Sequence, residues 1–199
     1  MLDIRLCSYV VKVDRGLAPN PFWGYCTLAV CTPNHMGVHA REGDWFIGTQ
    51  PASQGNKLVY AMQVTEVLPF EDYYHDSQFE KKKPVINGSW RQQCGDNMYY
   101  KDQTGRWRQH PSIYHCGPMQ IAQDLKHPRV FIAERFYYFG EKAIAILENC
   151  KSLIWNRQGC KCKHDPNTIS NFLNWLQKSF EIGIHGEPSD RRNAEGGSG

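Results

Sequence analysis

Long apolar runs are missing from this chain: no stretch reaches the roughly eighteen residues that carry a helix across a bilayer. The apolar run near the start, in MLDIRLCSYVVKV, is short and interrupted, which also argues against a signal peptide. A soluble, cytoplasmic protein with no membrane association is the expectation. Charge of one sign is scarce too. The formal net charge is +3, too small a field for nonspecific binding along DNA, although recognition of a single base needs no such field. Glycine-rich cradles are absent, since Gly16, Gly24, Gly95 and Gly140 stand alone. So are HExxH, a nucleophile elbow and paired catalytic carboxylates. No motif asks for a cofactor, and no internal repeat is visible.

What the chain does have is aromatic surface. Ten Tyr and six Trp help bring the aromatic share to 13%, and both types offer a flat face with a polar handle. A hydrophobic share of 41% and a charged share of 22% are ordinary for a globular protein. The 199 residues suit one domain with a real core. We therefore expect a single domain over residues 1–192, β-rich at about 3–140 and helical at about 141–185. Residues 193–199 read as a small polar tail. Cysteines stand at 7, 26, 31, 94, 116, 150, 160 and 162. Without a leader, an even set is read as reduced thiols.

Arg41 to Val67 organises the rest. Trp45-Phe46-Ile47 opens one strand, QPASQGNK turns the chain, and Leu58 to Val67 alternates along a second, predicting a central hairpin. Asp3 to Val13 is apolar on both faces, as a central strand would be. Asp14 to Trp23 is a loop stiffened by Pro19 and Pro21, and Gly24 to Cys31 is another strand. Thr32 to Ala40 is a helical turn or an irregular link. Pro69 to Lys82 reads as a helix closed by Lys81-Lys82-Lys83-Pro84, with the lysines as a solvated end rather than a phosphate contact. Met98–Lys101 and Arg106–Gln109 flank a small hairpin turn. His110 to Lys126 is loop with a short helix, and Arg129 to Gly140 is the last strong strand. Glu141 to Cys150 fits a short helix. Asp165 caps a longer one that carries Ile169, Phe172, Leu173 and Leu176, with Gly183 as its stop. Strands first and helices last make an α+β protein, built as a small curved β-sheet or barrel with an inserted helix and C-terminal helices.

Several blocks together resemble a known family. They are Ala18 to Ala29 (APNPFWGYCTLA), Gly43 to Thr49 (GDWFIGT), Leu58 to Met62, Gly95-Asp96-Asn97 and Phe136 to Gly140 (FYYFG). The chain is similar over about residues 4–185 to the nucleotide modification associated domain family, the second of that name, found in bacteria and phages. The resemblance implies genomic company with base-modification genes, in phage defence or base modification, rather than a defined activity. Gly43-Asp44 before an apolar strand, with Val64 to Val67 after the turn, more distantly resembles the PUA-like superfamily with its EVE and ASCH members. That likeness implies a PUA-like β-barrel that binds RNA or a flipped modified base in an aromatic-lined pocket.

A planar base is held by aromatic faces, and its edge is matched by a few amide or carboxylate groups. Asn20, Trp23, Tyr25, Asp96, Asn97, Tyr99, Tyr137 and Tyr138 are the expected ligand contacts, with rings from three loops meeting around one slot. No metal site is expected. Cys150, Cys160, Cys162 and His164 are weak candidates whose spacing departs from the usual zinc pattern, and His110, His115 and Cys116 form a second weak cluster. Recognition of a nucleotide or nucleic acid base is the leading reading. A nucleotide-modifying or nucleotide-cleaving enzyme using the same pocket is the alternative. Asp96 would then be its base, with a nearby His or Cys, and Cys94 or Cys116 beside His115 is formally a nucleophile. A third reading is an operon-encoded protein-interaction partner.

Overall fold

The computed structural model describes residues 4–30 and 37–191; the 193–199 tail and most of the Thr32–Ala40 link lie outside them. The elements run β1 (Leu6–Val10), β2 (Cys26–Leu28), β3 (Trp45–Thr49), β4 (Leu58–Gln63), β5 (Glu66–Pro69), α1 (Phe70–His75) and α2 (Trp90–Gln93). After them come β6 (Tyr99–Lys101), β7 (Trp107–Gln109), α3 (Pro118–Asp124), β8 (Arg129–Ala133), β9 (Arg135–Tyr138), α4 (Pro166–Ser179) and β10 (Gly183–Ile184). The mixture is α+β, as expected.

Two sheets share one bent ribbon. The larger has the order β1-β3-β4-β9-β10, and the smaller the order β2-β8-β5. Gln63 faces Arg135 in the first sheet, while Glu66 faces Ile132 in the second. At the corner the Thr65 N–H donates to the Ile132 carbonyl at 2.8 Å, and the Glu134 N–H donates to Thr65 Oγ1 at 3.3 Å. These bonds carry the ribbon round the bend without orphaning its backbone. Among the described residues the sheets curve but do not close into a barrel.

Strand alternation distributes the side chains between layers. Leu6, Trp45, Ile47, Ala61 and Tyr137 meet Phe172 and Leu176 of α4. Cys7, Tyr9, Phe46, Tyr60, Met62 and Tyr138 face Cys26, Leu28 and Phe131. Val130 and Ile132, on the far side of the second sheet, pack against Phe22, Phe70, Tyr73, Phe79 and Tyr99. Asp165 caps α4 by accepting from the Thr168 N–H at 2.8 Å, with Pro166 in the first turn.

Five expectations are corrected here. The doubly apolar β1 is an edge strand of the five-stranded sheet; both its faces are buried because layers lie on each side, and a Ser8–Lys161 bridge covers its outer edge. The 69–82 helix breaks at Asp76, whose carboxylate accepts from the Gln78 N–H and starts a 3-10 stretch over Ser77–Lys82. Residues 141–150 form no α-helix but two 3-10 turns, Gly140–Lys142 and Glu148–Leu153, joined by an extended link, and Gly183, at φ 123, begins β10 instead of stopping α4. The thiols are not all reduced, since Cys7 and Cys162 form a disulfide.

Candidate functional site

The polar residues that the sequence pointed to do come together, but inside the protein. Lys82 has no solvent exposure. Its Nζ donates to Asn20 O (2.9 Å), Asn20 Oδ1 (2.8 Å), Tyr25 O (2.8 Å) and Thr27 Oγ1 (3.2 Å). Asp96, equally enclosed, accepts from Thr27 Oγ1 at 2.5 Å and Tyr73 OH at 2.8 Å. Asn97 Nδ2 donates to the Tyr73 and Phe79 carbonyls, and Asn20 Nδ2 to Cys94 O. Burial pushes Lys82 down to about 8 and Asp96 up, and each charge partly offsets the shift of the other. Lys82 is therefore no solvated helix end. The Ser77–Lys82 stretch kinks at Phe79, and Phe79 and Lys82 are its two buried residues. Gly95 completes the packing, because a Cβ there would strike the backbone of 82–84.

A second polar centre lies behind the 14–18 loop. Tyr138 OH donates to both oxygens of Asp14 at 2.7 Å, and the Gly16 N–H donates to Oδ1. Burial pushes the Asp14 carboxyl up to about 6, against the pull of the Tyr138 hydrogen bond, and nearby Asp190 adds to the rise. Cys94 donates to Arg15 O, and burial pushes its thiol up to about 11, which disfavours the thiolate at neutral pH.

These two centres brace one wall of an open cleft of about 430 Å³. That wall carries Val13, Arg15, Leu17 and Ala18; the facing wall carries Ile113, Tyr114, His115, Cys116 and Gln120. The volume suits a small organic ligand. The Arg15 guanidinium lies 5.9 Å from the centre of the Tyr114 ring. His115 Nδ1 donates to Asp124 Oδ2 at 2.6 Å, and the same oxygen accepts from Tyr99 OH at 2.8 Å. Gln109 holds the His115 carbonyl, and the residue sits at φ 54, a backbone state that non-glycine residues rarely adopt. Cys116 is exposed at the rim, its thiol donating to Ser112 O. An imidazole fixed by a carboxylate is an acid–base arrangement.

The expected contacts are therefore divided. Asn20, Asp96 and Asn97 belong to the buried Lys82 network. Tyr99 backs Asp124 and stacks on Phe70, while Tyr138 holds Asp14. Tyr137 lies on the opposite face from Tyr138, near-parallel to Trp45, and borders a groove of about 350 Å³ with Arg135, Lys178 and Phe180. Trp23 stays 37% exposed at φ 64, and Tyr25 packs on Phe79 with its hydroxyl on Gln78. The rings of Trp23, Tyr99 and Tyr138 do not surround one slot. Asp96 is buried, and the imidazole–carboxylate pair at the cleft is His115–Asp124. No spacing in the sequence marked Asp124, nine residues beyond His115 and the last residue of α3. His110 parts from His115 and bonds Tyr74 OH instead.

The sulfur cluster differs from the candidate set as well. Cys150 is buried in the α4 layer, and His164 bonds Ser8 and Lys161. Cys7 joins Cys160 and Cys162. No helix among the described residues is long and apolar enough to cross a membrane.

Neither curated proteins nor solved structures yield a match to this chain. A family model does, under the description nucleotide modification associated domain 2, and it takes in residues 3–195. With almost the whole length inside one match, the chain belongs to the nucleotide modification associated domain 2 family.

Proposed function

We propose that this chain recognises a nucleotide or modified base in the cleft between residues 13–18 and 113–120, in the service of nucleotide modification. The observation that carries the reading is the meeting of a cation, a flat ring and a fixed imidazole in one cleft of suitable volume. Arg15 supplies charge for a phosphate, Tyr114 a face for a heterocycle, and His115 and Gln120 groups for its polar edge. Membership of the family supports nucleotides as the ligand class. The residues expected as contacts then act from behind. Asn20, Asp96 and Asn97 hold the loop that leads into the wall, Tyr138 holds Asp14, and Tyr99 holds Asp124. Calorimetry with nucleoside monophosphates and their base-modified forms tests this. One of them is expected to bind, and Arg15→Ala to weaken it about tenfold or more, as loss of a charge-assisted contact does. Equal affinity in the variant, or no binding by any nucleotide, contradicts the proposal.

A second reading rests on the Tyr99–Asp124–His115 chain of hydrogen bonds beside Cys116. Under it the cleft performs chemistry on its nucleotide, with His115 as general base. Product formation abolished by His115→Gln, with nucleotide binding kept, would favour this reading over recognition alone.

A further inference from the structure

We propose that the reduced chain binds one zinc ion through the thiolates of Cys7, Cys160 and Cys162. The backbone register creates the site. Ser8 and Lys161 exchange two hydrogen bonds of 2.9 Å, so the flanking Cys7 and Cys162 stand directly opposite each other. Cys160, two residues from Cys162, returns to the same face. All three sulfurs lie within 4.8 Å of one another, and Cys160 Sγ is 3.7 Å from Cys162 Sγ. Four sulfurs at about 2.3 Å around zinc form a tetrahedron with edges of about 3.8 Å, so this pair already has ligand spacing. Cys7 is buried and the other two are half-buried, which shields the ligands while leaving a way in. Thiolates select zinc over the hard cations magnesium and calcium. Three protein ligands leave the fourth position for water or an outside donor.

Metal and disulfide exclude each other, because Cys7 and Cys162 are joined when oxidised. Two molecules of a thiol reductant donate two electrons and two protons. The Cys7–Cys162 bond breaks, two thiols form, and the reductant leaves as its own disulfide. Zinc then displaces the three thiol protons to solvent. The segment around Lys161 is thereby fastened to β1 in either state, by a sulfur–sulfur bond or by the metal. The site shares no residue with the cleft, so its test is independent of the nucleotide reading.

Cobalt(II) titration of the phosphine-reduced full chain under anaerobic conditions provides the test. One equivalent is expected to bind, with sulfur-to-cobalt charge-transfer bands and intense tetrahedral bands that zinc abolishes. The oxidised chain is expected to give neither. Cys160→Ser, checked for its unfolding transition, is expected to lose the bands, whereas Cys116→Ser, which removes an exposed thiol elsewhere, keeps them. Absence of bands in the reduced chain, bands in the oxidised chain, or bands that survive Cys160→Ser overturns the proposal.

Discussion

Lys82 and Asp14 show what burial does to a charge when hydrogen bonds answer it. Four oxygen acceptors surround the Lys82 ammonium, and Thr27 joins it to Asp96. Replacing Lys82 with Met strips Asp96 of its countercharge inside the protein, so a loss of about 3–5 kcal/mol is expected. The midpoint of urea unfolding measures it. Asp14 has the opposite signature. Burial pushes its carboxyl up to about 6 from the ordinary 3.8, so between those values the folded chain holds more protons than the unfolded one. Stability from this group is full below about pH 4, declines as the pH rises, and is gone above about 6. The span corresponds to roughly 3 kcal/mol. Unfolding midpoints across that range should fall for the natural sequence and stay flatter for Asp14→Asn. Asn20, Asp96 and Asn97 were legible as amide and carboxylate groups with a specific polar role. Their buried partner Lys82 was not, because three consecutive lysines read as solvated until the kinked 77–82 stretch is seen to turn one of them inward.

At the scale of elements, the ribbon of β4–β5 against β8–β9 orders both sheets, and its tight side is β3. A Cβ at Gly48 would collide with the Tyr60 ring and with Val11. Gly48→Ala should therefore destabilise by about 1–3 kcal/mol through overpacking, read as a lowered thermal midpoint. The central hairpin and α4 were visible beforehand, since their periods of two and near four span many residues. The corner at Thr65 and Glu134 was not, because the apolar pattern runs through it and only cross-strand hydrogen bonds mark the turn. Short 3-10 turns such as Glu148–Leu153 carry no long period and were mistaken for helix.

Across the whole molecule, layers of side chains bury most of the aromatics that the sequence offered to a ligand. Stacking surface and core filler are made of the same residue types, so composition alone could not separate them. The cleft stays open to solvent, and its imidazole–carboxylate pair joins His115, just before α3, to Asp124, the last residue of α3. Two-dimensional amide spectra of the labelled chain, titrated with a nucleoside monophosphate that binds by calorimetry, test its role most directly. The largest shift changes are predicted at residues 13–18 and 113–120, with smaller ones at Asp124 and Tyr99 behind them. Changes centred instead on Trp23 and Tyr25, or on the groove beside Tyr137, would contradict the assignment.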